Sequence, residues 1–116
     1  MHFRLQTSPL HGFHHHGEQS WLNKMQLHDP LELQPEPANP YDRHAVRIHW
    51  KTHHIGYLPR ESNHIVSRLL RQNCPLTAHI AWLAKEPHPT IPLTLEVLLE
   101  ESGSNSPTER KPDTTN

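Results

Sequence analysis

Apolar and polar residues alternate in short stretches along the chain, a pattern typical of strands that are buried on one side. The clearest stretch is residues 45–50, where Val46, Ile48 and Trp50 share one face. Residues 55–58 follow after a short turn and are predicted to pair with this strand as a hairpin. In all, the pattern predicts strands at residues 1–6, 31–33, 45–50, 55–58, 76–83 and 93–99.

A helix is predicted between the fourth and fifth of these strands. Ser62 is a suitable N-cap, and the apolar residues of segment 65–70 fall on one helical face. Asn73 and Pro75 would end this helix. A second, shorter helix could form at residues 21–25. This order of elements predicts a mainly β fold with one or two α-helices, arranged as a small antiparallel β-barrel.

The apolar pattern stops near the end of the chain. Residues 102–116 contain no aliphatic or aromatic side chain. Such a segment cannot bury enough apolar surface to offset the entropy lost on ordering. Because 116 residues leave room for one core, the sequence predicts a single domain at residues 1–101 and a disordered polar tail at residues 102–116.

The charge balance limits the kind of nucleic-acid contact that the chain can make. Its 11 Lys and Arg residues oppose 12 Asp and Glu residues, for a net charge of −1. A broad duplex-binding surface normally carries a basic excess, so a bound polyanion is expected to be held through a few local contacts. The 13 histidines would add positive charge below about pH 6.5.

Several functional classes lack their sequence signals. Cys74 is the only cysteine, which excludes an intramolecular disulfide and a cysteine-based zinc site. No apolar run reaches the roughly 18 residues of a membrane span, and the N-terminus has no secretory h-region. We therefore expect a soluble, cytoplasmic protein, associated with the nucleoid if it binds DNA. The Gly-x-x-x-x-Gly-Lys phosphate loop is absent, and no catalytic activity is expected.

The segment with the most chemistry is the Asn-Pro-Tyr-Asp sequence at residues 39–42. Pro40 fixes its own φ and favours an extended Asn39, while the Asp42 carboxylate can accept a hydrogen bond from a backbone N–H just after it. A turn of this kind fixes a tyrosine and a carboxylate side by side. The aromatic and basic residues of segment 56–60, Gly-Tyr-Leu-Pro-Arg, follow on the predicted hairpin.

This turn and the segments around it resemble the HIRAN domain. The resemblance extends from residue 12 to residue 83, and its most specific parts are the turn at residues 39–42 and the Ile-Gly-Tyr-Leu-Pro hairpin at residues 55–59. The matching positions are residues 12–18, Trp21, residues 31–33, 36–37, 39–42, 45–46 and 56–60, and Asn63.

The resemblance implies an OB-like β-barrel that recognises single-stranded DNA, particularly a free 3′-hydroxyl end, in DNA repair or replication-fork processing. HIRAN domains occur alone in bacterial proteins and fused to SWI/SNF-type helicase ATPases. The expected partners are therefore single-stranded DNA ends and a helicase or nuclease. We expect a monomer without a cofactor.

The resemblance also implies roles for individual residues. Asp42 would accept a hydrogen bond from the terminal 3′-hydroxyl, and a 3′-phosphate in its place would meet repulsion. Tyr41 and Tyr57 would position the last nucleotides, and Arg60 would contact a phosphate. Two further residues, at positions 13 and 14, would line the same cleft. The predicted binding residues are Phe13, His14, Tyr41, Asp42, Tyr57 and Arg60.

Two other functions remain open from the sequence. In an extended segment His14 and His16 would share one face, and with His11 and Glu18 they could bind zinc. The chain would then be a zinc-dependent hydrolase acting on nucleic acid or nucleotides, with Glu18 or Asp42 as the base. Alternatively, the chain could be a protein-interaction adaptor whose tail docks onto a helicase or nuclease.

Overall fold

The computed structural model describes residues 2–100. Six antiparallel strands with short helices between them form a mainly β domain. The strands are β1 (His2–Pro9), β2 (Pro30–Pro35), β3 (Val46–Trp50), β4 (His53–Tyr57), β5 (Leu76–Leu83) and β6 (Leu93–Glu100). The helices are α1 (Phe13–His16), α2 (Gln19–Leu22) and α3 (His64–Arg71), with a 3-10 turn at Arg60–Ser62 before α3. The tail predicted at residues 102–116 lies outside the described residues.

The strands form one sheet in the order β1-β6-β5-β2-β3-β4. The mainly β prediction is thus confirmed, but the predicted closed OB-like barrel is wrong. In the described part of the chain, no ladder joins the two end strands. A single bridge connects the segment after β1 to β4, through reciprocal backbone hydrogen bonds of 2.9 and 2.8 Å between His11 and Tyr57. The chain turns into α1 at Phe13, which leaves no further residue to extend the pairing.

The core lies on the face of the sheet that the alternating pattern predicts. Val46, Ile48 and Trp50 are buried, and the polar residues between them are less so. The β3–β4 hairpin forms as expected, with Arg47 paired to Tyr57. The side chains with no exposed surface also include Ile55, Val66, Ile80, Leu93, Leu95 and Val97. This core holds β3, β4 and α3 together, and these three elements carry one side of the candidate site.

Helix α3 begins later than predicted. Ser62 lies in the 3-10 turn instead of capping the helix, and Asn63 occupies the N-cap position without a side-chain capping bond. Ile65, predicted on the buried face, is 62% exposed. Asn73 ends the helical segment as expected and adopts the left-handed conformation, with φ of 61°.

Trp82 is the second departure within the core. Strict alternation along β5 would place it on the buried face with Ile80, but it is 49% exposed. The register of β5 against β6 shifts between Ile80 and Trp82, and such a bulge reverses the face on which the following side chain lies.

None of the helices described here is long and apolar enough to span a membrane.

Candidate nucleic-acid interface

A cavity of about 660 Å³ opens between α1, the turn at residues 39–42 and the start of α3. Four of the six predicted binding residues line it: Tyr41, Asp42, Tyr57 and Arg60. Tyr57 lies at the end of β4, where the bridge to His11 ties the segment before α1 to the hairpin. The cavity therefore forms where the segment after β1 meets the end of β4.

The turn at residues 39–42 is held from inside by the Asn39 side chain. Asn39 Oδ1 accepts hydrogen bonds from the backbone N–H groups of Tyr41 at 2.8 Å and Asp42 at 3.2 Å. Its Nδ2 donates to Glu36 Oε1 at 3.1 Å. The Asx-type contact expected from the sequence is the separate one in which Asp42 Oδ1 accepts from the His44 backbone N–H; the contacts of Asn39 were not predicted. The turn at residues 39–42 directs the Tyr41 ring outward, where that side chain is 82% exposed at the rim of the cavity.

The Asp42 carboxylate is fixed by three contacts. Asn63 Nδ2 donates to Oδ2 at 2.9 Å, and the His44 backbone N–H donates to Oδ1 at 2.9 Å. Arg60 Nε lies 3.8 Å from Oδ2. Burial alone would raise the pKa of Asp42, but these hydrogen bonds and charges together lower it below its ordinary value of 3.8. Asp42 is therefore an ionised hydrogen-bond acceptor at neutral pH.

A second carboxylate, Glu36, fixes the Tyr57 ring. Tyr57 donates its phenolic hydrogen to Glu36 Oε1 at 3.0 Å. Arg47 Nε lies 2.9 Å from Oε2, an ion pair in which the N–H is not directed at the oxygen. Burial raises the pKa of Tyr57, and the bond to Glu36 raises it further, so that the phenol stays protonated. Because Asn39 also bonds Glu36, one hydrogen-bonded network joins the tyrosine to the Asp42 turn.

Arg60 is positioned by the backbone of the same turn. Its Nη2 donates to the Tyr41 carbonyl at 2.7 Å, while the side chain remains 73% exposed. An exposed guanidinium with unused N–H donors can contact a phosphate bidentately. The arrangement therefore presents one anionic acceptor and one cationic donor group side by side at the cavity.

The comparisons with known proteins agree with this fold. The family model of the HIRAN domain matches residues 4–101. The chain belongs to the HIRAN family. No curated protein matches the sequence.

Solved structures resemble this HIRAN chain over most of its length. A protein from Lactobacillus plantarum is 21% identical with a TM-score of 0.68, and the match covers 86% of this chain and 98% of that one. The crystal structure of the HIRAN domain of human HLTF is 16% identical with a TM-score of 0.64, covering 86% and 81%. An NMR structure of the HLTF HIRAN domain gives a TM-score of 0.51 at 16% identity, covering 86% and 80%. At these identities the likeness concerns the fold.

The segment before β2 differs from the expectation for this HIRAN domain. Phe13 is buried in the core, and its ring packs closely against Gly17. His14 is exposed but lines a separate cleft beside Pro59 and Ile91. Neither residue lines the cavity with Asp42. Their places are taken by His15 and His16, because residues 13–16 form a helical turn instead of an extended segment.

His16 stacks on a second histidine that the sequence did not single out as part of the site. The rings of His16 and His54 lie 4.3 Å apart with an interplanar angle of 28°, and both lie edge-on to Tyr57. Burial, followed by neighbouring positive charges, lowers the pKa of His16, and burial and His16 lower the pKa of His54 to about 4. Both rings therefore stay neutral to a lower pH than the composition suggested. They instead provide an uncharged aromatic wall.

The predicted zinc ligands do not converge. Within residues 2–100, no group of three His, Cys, Asp or Glu side chains is arranged to hold a metal ion. His16 lies at the main cavity while His14 lies at a separate cleft, since a helical turn separates side chains that an extended segment would align. The geometry therefore does not support the zinc-dependent hydrolase with ligands His11, His14, His16 and Glu18.

Proposed function

We propose that this HIRAN domain binds the 3′-hydroxyl end of single-stranded DNA and catalyses no reaction on it. The HIRAN family is generally associated with DNA binding. The observation that carries the proposal is the presence of a fixed carboxylate, two tyrosines and an exposed guanidinium around one cavity. These are the groups that the end of a strand requires: an acceptor for its hydroxyl, rings for its bases and a cation for its phosphate.

Asp42 is suited to recognise the terminal hydroxyl. Its carboxylate is ionised, and one bond to each oxygen leaves further acceptor positions free. A hydrogen bond from a hydroxyl to such a group contributes about 1.5–3 kcal/mol. A terminal phosphate would bring a second anion against the carboxylate, so the same residue would select against a phosphorylated end.

The aromatic rings around Asp42 suit the last bases of a strand. Tyr41 is exposed at the rim, whereas Tyr57 is held by Glu36 with the His16–His54 pair beside it. Stacking on aromatic side chains contributes about 1–3 kcal/mol per base and tolerates any sequence. Binding should therefore depend on the end of the strand more than on its sequence.

The proposal is tested by comparing two oligonucleotides that differ only in a 3′-hydroxyl or a 3′-phosphate. The wild-type protein should prefer the hydroxyl end by about 10-fold or more, the factor expected for one charge-assisted hydrogen bond. Asp42→Asn should reduce this preference mainly by tightening binding of the phosphorylated strand, because the repulsion is removed. Glu86→Gln, which removes an exposed carboxylate away from the cavity, is the matched control. Equal affinity of the wild-type protein for both ends would refute the proposal.

The pH dependence follows from the lowered pKa of Asp42. The carboxylate stays ionised down to its lowered pKa, which lies below 3.8. We therefore expect the preference for a 3′-hydroxyl end over a 3′-deoxy end, a pair in which neither end titrates, to be unchanged between pH 8 and pH 5. Fluorescence anisotropy with both oligonucleotides across this range measures it. A preference that falls steadily from pH 7 to pH 5 would assign end recognition to a histidine instead.

A further inference from the structure

A positively charged surface adjoins the cavity on the side of α3. Its four members are exposed and come from two segments of the chain: Arg43, His64, Arg68 and Arg71, which we call the basic flank. His64, Arg68 and Arg71 have the helical spacing i, i+4 and i+7, so they share one side of α3. Arg43 follows Asp42 directly in the sequence.

His44 joins the basic flank to the Asp42 turn. Its backbone N–H donates to Asp42 Oδ1 at 2.9 Å, and its ring lies 4.0 Å from the His64 ring. The surface of α3 therefore begins within two residues of the carboxylate at the cavity. A strand whose end lay beside Asp42 could continue over this surface without changing direction sharply.

The arginines of the basic flank lack acidic partners. Within residues 2–100, the ion pairs of the arginines within 4.0 Å involve Arg4, Arg47 and Arg60. Arg43, Arg68 and Arg71 form none there. Exposed positive charges that form no ion pair create a positive local potential that attracts anions. The chain as a whole has a net charge of −1, so this potential is a local property of the surface.

Three of the four members of the basic flank act on the His44 ring. The pKa of His44 is lowered, first by burial and then by His64, Arg43 and Arg71, while Asp42 opposes this shift. The two segments of the flank thus face the same space beside the Asp42 turn. A phosphate bound there would interact with several of these charges at once.

We propose that the basic flank binds the phosphate backbone of the nucleotides that precede the strand end in the cavity. This inference rests on the proposed function and names the path that the strand follows. Helix α3 has eight residues, and at ~1.5 Å per residue His64 and Arg71 are about 10 Å apart along its axis. At ~3.4 Å per phosphate in a stacked strand, this distance corresponds to about three phosphates.

The inference is tested by the salt dependence of binding for two lengths of oligothymidine with 3′-hydroxyl ends. A trimer, with two phosphates, should give a log–log slope of about −1.4, taking ~0.7 per phosphate. A decamer that also occupies the flank should give a slope of about −3.5, the value for five phosphates. The same slope for both lengths would overturn the inference and leave end recognition intact.

A double variant assigns the extra contacts to α3. Arg68→Gln with Arg71→Gln should weaken decamer binding and reduce the slope by about 1.4, so that the variant's affinity falls about 7-fold less than that of the wild type between 50 and 200 mM salt. Trimer affinity should not change. Lys24→Gln with Lys85→Gln also removes two exposed positive charges, at positions that line no part of the cavity, and should leave both slopes unchanged. An equal loss in both double variants would show a general charge effect and overturn the inference.

The two proposals fail in different ways. If the trimer shows no preference for a 3′-hydroxyl over a 3′-phosphate, end recognition is wrong whatever the decamer does. If the trimer keeps this preference but the decamer gains nothing from Arg68 and Arg71, the path over α3 is wrong. Binding of an acidic protein surface, the other class of partner for a basic patch, would leave the two DNA slopes equal.

Discussion

The cavity and the basic flank meet at Asp42, yet they are built in opposite ways. At the cavity, Glu36, Asn39 and Asp42 bond to one another or to neighbouring groups, so their positions are set before a ligand arrives. On the flank, the arginines have no acidic partner within residues 2–100. A preorganised network suits recognition of one chemical group, whereas free long side chains suit a backbone of variable conformation. In the proposed binding mode, this contrast predicts that end selection and strand retention are separable.

The largest expected effect is on the network itself. Asn39→Ala removes the acceptor for two backbone N–H groups and one donor to Glu36. We expect a loss of about 2 kcal/mol in the free energy of unfolding, together with the preference for hydroxyl ends, because the turn and Tyr57 lose their connection. Urea denaturation and the oligonucleotide comparison measure the two effects. Gln72→Ala, an exposed amide without a side-chain hydrogen bond among those observed, is the control; equal losses in both variants would contradict the prediction.

A smaller effect is expected from the histidine wall of the cavity. The pKa of His54 is about 4 in the folded protein, against 6.5 ordinarily. Between these values the unfolded chain takes up a proton that the folded protein does not, so stability falls as pH decreases from 6.5 to 4. Since the ring is partly solvated, we expect a loss of about 1–2 kcal/mol. His54→Phe, which keeps an aromatic ring beside His16, should remove this part of the pH dependence. If the free energy of unfolding of this variant depends on pH as that of the wild type does, the assignment to His54 is wrong.

The smallest effect on stability is expected on the flank. Arg68→Gln with Arg71→Gln should change the free energy of unfolding by less than about 0.5 kcal/mol, because exposed charges without partners contribute little to folding. The same change should raise the pKa of His44, since it removes one of the positive charges that lower it. An NMR titration of the His44 ring checks this. A large loss of stability would mean that the flank is part of the structural framework after all.

Much of the fold follows from the sequence because strand patterns are local. Val46, Ile48 and Trp50 alternate with polar residues, and burial on one face confirms the pattern. The closure of the sheet was not predictable in the same way. It depends on how many residues remain to pair between β1 and α1, and His11 alone forms the bridge. The exposure of Trp82 was not predictable either, because the bulge in β5 depends on the partner strand and not on the local pattern.

The candidate site was half predictable for a similar reason. Tyr41 and Asp42 lie in a turn whose shape is set by Asn39 and Pro40, so four consecutive residues determine where the two side chains lie. Phe13 and His14 were expected at the cavity, but a helical turn buries the first and directs the second to another cleft. The glycines that bracket this turn were the signal available: Gly12 adopts φ of 81°, and the Phe13 ring occupies the space where Gly17 would carry a side chain.

Gly56 determines how closely β4 approaches the chain segment that leads into α1. A Cβ at Gly56 would lie 2.5 Å from the His11 carbonyl and 3.0 Å from a Leu10 methyl carbon. A methyl group at this position would clash with Leu10 and His11 and would force β4 away from the chain that leads into α1. The width of the cavity therefore depends on a residue that does not line it. A larger residue at Gly56 would widen the cavity without removing any group that contacts a ligand.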